Sequence, residues 1–240
     1  LEHVYIDGFA GSGQHVSRTT GEFVAGSPLV ALRVEPPFKH YYFIDIESTK
    51  IEQLEQIAGQ RSDVGVFRED CNKALLEKVF PLVRWEDFRR GLCLLDPYGL
   101  HLDWQVIAAA GQSRSIEIFL NFPVTDMNRN VLLRNPDNVS PKQSRRMTRF
   151  WGDDSWRNIA YSTEPGLFED IEKKASMKVV AEAFRGRLKE VACFTYVPEP
   201  ILMRNTKGGP LYYLYFAAHK PVAAKIVRDI FKKYRNRGET

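Results

Sequence analysis

The sequence predicts an α/β fold, a mostly parallel sheet with helices on both faces and a helical insertion before the last strands. Three observations predict it. Short apolar runs alternate with segments of helical periodicity through residue 122, a pattern typical of parallel sheets. The run at residues 41–44 is too continuous for a sheet with one exposed face. A polar, basic stretch then interrupts the alternation before two further apolar runs.

The first half of the chain contains five predicted strands, each an apolar run followed by polar residues or glycine. They cover residues 4–6, 41–44, 64–67, 91–95 and 115–122. Apolar residues at helical spacing predict intervening helices at 27–34, 51–58, 74–80 and 104–110. Strands and helices that alternate in this way form parallel sheets covered on both faces.

The second half departs from this alternation. Residues 123–166 are polar, basic and rich in Trp, with Pro136 and Pro141 as breakers, and predict a helical insertion. Beyond it we expect a helix at 178–187, strands at 192–197 and 211–216 that could pair antiparallel, and an amphipathic helix at 221–234. One domain is therefore predicted in three parts: residues 1–122, the insertion 123–166, and residues 167–240, which complete the domain.

Composition excludes several classes of protein. Among the 240 residues, 44% are apolar and 27% are charged, which argues against a disordered, collagen-like or low-complexity chain. No apolar run approaches membrane-spanning length and residues 1–3 lack a signal-peptide pattern, so we expect a soluble protein with no membrane partner. Cys71, Cys93 and Cys193 are too widely spaced for a disulfide framework or a metal site, and predict a cytoplasmic location. Because the chain opens without Met, we expect residues upstream of Leu1.

Positive charge is concentrated in two regions of a chain whose formal net charge is +4. Residues 129–157 carry seven basic side chains against three acidic ones, and residues 225–237 carry six against one. Such clusters suit a phosphate-rich partner, although solvated helix faces are the alternative. We expect the two regions to form one basic surface. The candidate nucleic-acid contacts are Arg145, Arg146, Arg149, Lys232 and Lys233.

Chemically distinctive residues follow the predicted strands at their carboxyl ends, where open α/β sheets bind ligands. The first strand leads into a glycine-rich loop, DGFAGSG, which lets a ligand approach the backbone but is also an ordinary turn sequence. Asp45 ends the second strand and could accept hydrogen bonds from two ribose hydroxyls, or cap a helix. Asp70 follows the third strand and could accept an adenine amino group, or cap the next helix.

The fourth strand ends in Asp96-Pro97-Tyr98-Gly99. A carboxylate and main-chain oxygens could accept hydrogens from a planar amine while the aromatic ring stacks on its heterocycle. A tight turn initiated by Asp-Pro is the alternative.

Taken in order, DGFAGSG, FIDIE, the Glu-Asp-Cys strand end and LLDPYG resemble the motifs of class I S-adenosylmethionine-dependent methyltransferases. More narrowly, DGFAGSG, LLDPYGL and YYLYFAAHKP are similar to the three-Cys-motif partner proteins (TcmP) of bacteria and phages, over nearly the whole chain. This resemblance implies a Rossmann-like sheet of seven strands with one antiparallel strand. It also implies S-adenosylmethionine as cofactor and a three-Cys-motif protein as a partner.

The resemblance assigns roles to individual residues. Residues 1–122 become the cofactor-binding part and 123–166 the substrate side. Asp96, Pro97 and Tyr98 match the Asp/Asn-Pro-Pro-Tyr motif of enzymes that methylate exocyclic amines of nucleobases, except that Tyr and Gly stand at its third and fourth places. The resemblance also implies which residues contact each part of the cofactor. Asp45 would bind the ribose, and Asp70 and Cys71 would border the adenine. The methionine part would be surrounded by Asp7, Gly8, Ala10, Gly11 and Gly13.

The implied activity is methylation of a base amine in DNA or RNA, with Trp151 and Trp156 of the insertion either stacking on bases or packing onto the domain. Two other functions stay open. One is a cofactor-binding but catalytically silent partner protein. The other is a methyltransferase that acts on a protein or a small molecule.

Overall fold

The computed structural model describes residues 1–16, 22–164 and 171–235. Its strands are β1 (Glu2–Asp7), β2 (Gln14–Val16), β3 (Phe23–Ala25), β4 (His40–Asp45), β5 (Val64–Arg68), β6 (Arg89–Leu95), β7 (Ile116–Phe122), β8 (Tyr161–Glu164), β9 (Ile171–Lys174), β10 (Ile201–Arg204) and β11 (Pro210–Ala217). Its α-helices are α1 (Ser27–Leu32), α2 (Ser48–Ala58), α3 (Cys71–Ala74), α4 (Trp104–Ser113), α5 (Val124–Asn130), α6 (Pro141–Trp151), α7 (Trp156–Ala160), α8 (Met177–Glu190) and α9 (Pro221–Arg235).

Seven strands form one sheet in the order β10-β11-β7-β6-β1-β4-β5. The pairs β1–β4, β1–β6 and β4–β5 are parallel, whereas β10 and β11 are antiparallel. Two antiparallel hairpins, β2–β3 and β8–β9, lie outside this sheet. The predicted fold class is confirmed in its architecture: the chain has a Rossmann-like sheet, mostly parallel with one antiparallel pair.

Register places the ends of three strands side by side. Asp7 of β1 lies opposite Phe43 of β4 and Leu94 of β6. Parallel strands end at the same edge of a sheet, so Asp45 and Asp96, each two residues beyond those positions, end there too.

The chain divides into two compact units, the first comprising Leu1–Asp96 with Ser113–Phe119 and the second Pro97–Gln112 with Leu120–Thr240. The core of the first unit includes Tyr5, Tyr41, Phe43 and Leu54. In the second unit, Phe184 packs its ring against Phe122, Phe150, Trp151, Tyr215 and Trp104, at centroid distances of 4.7 to 5.9 Å. The predicted three-part division of the domain stays a prediction.

The predicted strand at 192–197 is wrong. This apolar segment is an irregular loop in which Cys193 adopts a left-handed φ of 66° and only Tyr196 bridges a strand end, at Ala218. The amide of Phe194 donates to the carbonyl of Leu188, which folds the segment back onto α8. Ala192, Phe194 and Val197 are buried although the segment is a loop, and the strand that pairs with β11 begins at Ile201.

The insertion is helical in α5, α6 and α7, as predicted, but it ends in the β8–β9 hairpin, which the sequence analysis did not predict. Residues 165–170 lie outside the described residues. Within the described ranges, no helix has both the length and the apolar character that a membrane crossing requires.

Candidate functional site

The glycine-rich loop begins as a continuation of the sheet. The amide of Gly8 donates to the carbonyl of Leu94, and the amide of Ala10 donates to the carbonyl of Ile44, both at 2.9 Å. The loop after β1 is therefore fixed to the ends of both neighbouring strands, β6 and β4. This fixation exists because parallel pairing leaves amides and carbonyls unsatisfied where the strands end.

Asp45 holds the middle of the same loop. Its Oδ2 accepts a hydrogen bond of 3.0 Å from the amide of Gly11, and its Oδ1 accepts one of 2.9 Å from the amide of Glu47. The side chain is only 10% exposed, and Nζ of Lys50 lies 3.8 Å from Oδ2. We call the contact between Asp45 and Gly11 the loop clasp. Each carboxylate oxygen can accept two hydrogen bonds, so the clasp leaves acceptor capacity at Asp45.

The glycines of the loop differ in what requires them. Gly11 has a left-handed φ of 63°, and a Cβ there would meet no described atom within 4 Å. Gly13 has a φ of 75°, and a Cβ there would lie 2.7 Å from Cδ1 of Ile57. Gly13 is therefore needed for conformation and packing, whereas Gly11 leaves open space over the backbone.

Asp7 is fully buried beneath the loop. It accepts hydrogen bonds from the amide of Phe9 at 3.2 Å and from the hydroxyl of Tyr5 at 3.4 Å. The pKa of this carboxyl is raised to about 6, mainly by burial and to a smaller extent by the negative charge of Asp96, against the lowering effect of its hydrogen bonds. This buried carboxyl therefore holds the start of the loop by hydrogen bonds, and its pKa is close to neutral pH.

We expect Asp7→Asn to stabilise the protein at high pH. The folded-state pKa lies above the unfolded value of about 3.9, so the free energy of unfolding falls as pH rises from about 4 to above 6, by about 3 kcal/mol. Urea unfolding should show that gain for Asp7→Asn near pH 8 and little difference near pH 4.

Asp63→Asn is the matched control, because the hydrogen bond from Arg61 holds the pKa of Asp63 below its usual range. That stabilisation is present at neutral pH and lost in acid, so this control should destabilise at high pH instead. A gain for Asp7→Asn that does not depend on pH would contradict the assignment.

Asp70 caps α3, as the structural alternative held. Its Oδ1 accepts from the amide of Asn72 at 3.1 Å and from that of Lys73 at 3.3 Å. Cys71 is buried, and its Sγ would lie 2.9 Å from a Cβ at Gly8. Both predicted adenine contacts thus lie at a turn that packs against the glycine-rich loop.

The residues after β6 alternate in exposure. Asp96 is exposed, Pro97 is buried, and Tyr98 is 90% exposed with its ring stacked on His101. An aromatic ring left so accessible can stack on a planar ligand.

Asp126, which the sequence analysis missed, supports this turn. Its Oδ2 accepts from the amide of Leu100 at 2.9 Å and from Nη2 of Arg146 at 2.8 Å. Gly99, with a φ of 65°, lies so close that a Cβ there would be 2.4 Å from the same oxygen. The sequence did not indicate this contact, because an acidic residue such as Asp126 is common in the first turn of a helix.

The predicted nucleic-acid residues have different surroundings. Arg146 is half-buried against Asp126, and Arg149 pairs with Asp103. Arg145 is exposed and has no ion-pair partner among the described residues. Lys232 and Lys233 are exposed on α9.

A groove of about 560 Å³ lies along α6 and α7, with a lining that includes Arg145, Arg149 and Arg157. We call it the arginine groove. Trp151 and Trp156 are 0% and 1% exposed, so both are packed in the interior, Trp151 against Phe184 of α8.

Two exposed apolar side chains also escaped the sequence analysis. Ile46, directly after Asp45, is 66% exposed, and Phe23 of β3 is 77% exposed. A large apolar residue following a polar strand end was the available signal for Ile46. In the described ranges, no three His, Cys, Asp or Glu side chains converge as a metal site requires.

Comparison with known proteins supports the fold. No family model matches the chain, and no curated protein matches it. Protein LPL1258 from Legionella pneumophila, of the DUF519 family, matches with a TM-score of 0.53 over 99% of this chain and 85% of that chain. The two sequences are 13% identical, so this likeness concerns the fold alone.

Two further solved structures are described as methyltransferases. The methyltransferase domain of bacterial CtHen1-CN has a TM-score of 0.41 and 11% identity, over 90% of this chain and 89% of that chain. An S-adenosylmethionine-dependent methyltransferase from Methanosarcina mazei has a TM-score of 0.36 and 13% identity, over 90% and 92%. At these TM-scores, neither likeness bears on the activity of this chain. Membership of the three-Cys-motif partner family stays a prediction.

Proposed function

We propose that the chain is an S-adenosylmethionine-dependent methyltransferase that acts on an exocyclic amine of a nucleobase in DNA or RNA. The loop clasp is the observation that carries this proposal. It combines an open glycine backbone at Gly11 with a carboxylate at the end of the adjacent strand, on the sheet edge where Rossmann-like folds bind nucleoside cofactors.

The residues at this edge suit the cofactor chemically. Asp45 has acceptor capacity for ribose hydroxyls, and the open space over Gly11 allows close approach of the methionine part. Ile46 offers an exposed apolar surface on which a purine could lie. Asp70 and Cys71 would border the adenine. The cofactor would supply an electrophilic methyl group, which needs no activation by the protein.

The remaining work falls to the tetrapeptide after β6. The carboxylate of Asp96 and the carbonyl of Pro97 would accept the hydrogens of the target amine, which orients its lone pair and raises its electron density. Tyr98 would hold the base by stacking. Catalysis would consist mainly of positioning and exclusion of water, and the proton would leave the nitrogen late.

We expect Asp45→Ala to weaken binding of S-adenosylhomocysteine, measured by titration calorimetry. Ribose hydroxyls would lose their acceptor and the loop clasp would be lost with it, at roughly 1–3 kcal/mol, or about 5- to 150-fold in affinity. Asp45→Asn, which keeps one oxygen acceptor, should lose less.

Glu47→Ala is the control, because Glu47 is an exposed acid two residues away that pairs with Lys50. It should bind S-adenosylhomocysteine as the wild type does. A folded wild-type protein that binds no S-adenosylhomocysteine would overturn the proposed function.

Nucleic acid is the proposed substrate partner, held by the arginine groove. We expect Arg145→Gln to weaken binding to single-stranded RNA or DNA and to reduce the salt slope of the affinity by about 1, as loss of one phosphate contact should. Arg134→Gln removes another exposed arginine of the insertion that does not line the groove, and should change little. If Arg145→Gln and Arg134→Gln reduced the affinity equally in filter binding, the arginine groove would have no specific role and its basic residues would be a solvated helix face.

A silent, cofactor-binding partner protein is the second candidate, favoured by Tyr98-Gly99 in place of Pro-Tyr. It predicts binding of S-adenosylhomocysteine without methyl transfer, in association with a three-Cys-motif protein. A methyltransferase of proteins or small molecules would instead show little dependence of substrate affinity on salt.

A further inference from the structure

A separate pocket of about 390 Å³ lies in the second unit, between α8, the loop before β10, and α9. We call it the α8–α9 pocket. Its volume falls within the range of small-molecule sites. Neither the glycine-rich loop nor Asp45 or Asp96 lines it.

Four cationic side chains surround this pocket: Arg185, Lys189, Arg228 and Lys232. Glu199 is the one acidic side chain that lines it. Within the described part of the chain, no carboxylate forms an ion pair with Lys189, Arg228 or Lys232. Unpaired cations around a concavity raise the local concentration of anions.

Arg185 is held in place by the protein. Its Nε donates to the carbonyl of Val197, and its Nη1 donates to Oε1 of Glu182, both at 2.8 Å. A guanidinium fixed in this way loses little side-chain entropy when it contacts an anion, because its rotamer is already selected.

The floor of the pocket is apolar. Val197 and Phe231 are each 3% exposed and Ala224 is 1% exposed. A floor that excludes water strengthens the attraction between the surrounding cations and an anion. A ring or an apolar group can also pack against this floor, whereas an inorganic ion would leave the floor exposed to water. The lining therefore fits an anionic ester with an organic body.

Backbone hydrogen bonds hold one wall of the pocket. Tyr196, in the loop before β10, and Ala218, just after β11, exchange two backbone hydrogen bonds of 2.9 Å. The pocket thus lies at the amino end of β10.

We propose that the α8–α9 pocket binds the phosphate and base of a nucleotide, either free or within a nucleic-acid strand. The two sources share one chemistry, a phosphate ester next to a planar ring. This site is independent of the cofactor site and of methyl transfer.

The test is titration of the full chain with uridine 5′-monophosphate, with S-adenosylhomocysteine in excess so that the proposed cofactor site contributes nothing. Uridine should bind at least about tenfold more weakly, since it lacks the phosphate. Lys189→Gln combined with Lys232→Gln should lower the affinity for uridine 5′-monophosphate by at least about tenfold. Lys178→Gln combined with Lys225→Gln makes the same charge change on the same two helices, outside the pocket. This control should leave the affinity for uridine 5′-monophosphate within about twofold of the wild type.

A 5′-phosphorylated oligouridylate distinguishes the two sources. Tighter binding of the oligonucleotide, lost in the Lys189/Lys232 variant, supports a strand as the ligand. Saturable binding of the mononucleotide alone supports a free nucleotide. The proposal is overturned if both double variants lose affinity equally, if uridine binds as well as its monophosphate, or if neither phosphorylated probe responds to the pocket variant. A separate titration with S-adenosylhomocysteine alone tests the proposed function, so failure of one proposal is distinguishable from failure of the other.

Discussion

Asp96→Ala is expected to reduce methyl transfer at least about 100-fold while binding of S-adenosylhomocysteine stays nearly unchanged. Asp96 directly follows β6 and is exposed, so a substrate can reach its side chain. Removing it deprives the target amine of an acceptor that orients the nitrogen. The measurement is transfer of labelled methyl groups to total RNA and DNA.

Conservative and control variants separate this role from a general loss of charge. Asp96→Asn keeps an oxygen acceptor and should retain much of the activity. Asp137→Ala removes an exposed acid of the insertion and should be neutral. Tyr98→Phe should stay active if the ring stacks on the base, whereas Tyr98→Ala should lose about 1–3 kcal/mol of base-stacking free energy. A wild-type protein that binds S-adenosylhomocysteine but labels neither nucleic acid nor cell extract would favour the silent-partner function.

The largest effect on stability is expected for Gly111→Ala in α4. A Cβ there would lie 1.8 Å from the carbonyl oxygen of Ala192 and 3.2 Å from the ring of Phe194. The colliding atom belongs to a backbone held by a 3.0 Å hydrogen bond from the amide of Ala192 to the carbonyl of Arg187. Relief requires displacement of this buried loop, so we expect a loss of at least about 3 kcal/mol in the free energy of unfolding.

Gly186→Ala in α8 is the matched control, because a Cβ at Gly186 would meet no described atom within 4 Å. Glycine is unfavourable inside a helix, so this variant should gain about 0.5–1 kcal/mol. Denaturant unfolding of the two variants measures both values. Comparable stabilities would show that the loop after α8 yields easily.

Sequence patterns predicted the parallel part of the fold because each buried strand is a continuous apolar run with a polar end. Residues 41–44 and 91–95 illustrate this, and they match β4 and β6 closely. The segment 192–197 has a similar composition but forms a loop, and composition alone does not distinguish a buried strand from such a loop. The left-handed Cys193 carries no sequence signal, since glycine or asparagine is the usual residue there.

The candidate site was predictable where function follows from position along a strand. Asp7, Asp45 and Asp96 lie at the ends of strands, and the register brings their backbones to one edge. Contacts between distant segments were not predictable. Asp126 holds the turn at Gly99 and pairs with Arg146, and nothing in the local sequence of either partner indicates the other.

The loop clasp has a consequence for how a ligand would be received. Asp45 fixes the amide of Gly11 within the protein itself, so the loop acquires its shape during folding and not on encounter with a ligand. The entropy cost of ordering this backbone is therefore met during folding. Ligand binding does not include that cost, and its free energy is correspondingly more favourable. The Gly11 amide should accordingly exchange its hydrogen with solvent slowly before any ligand is present.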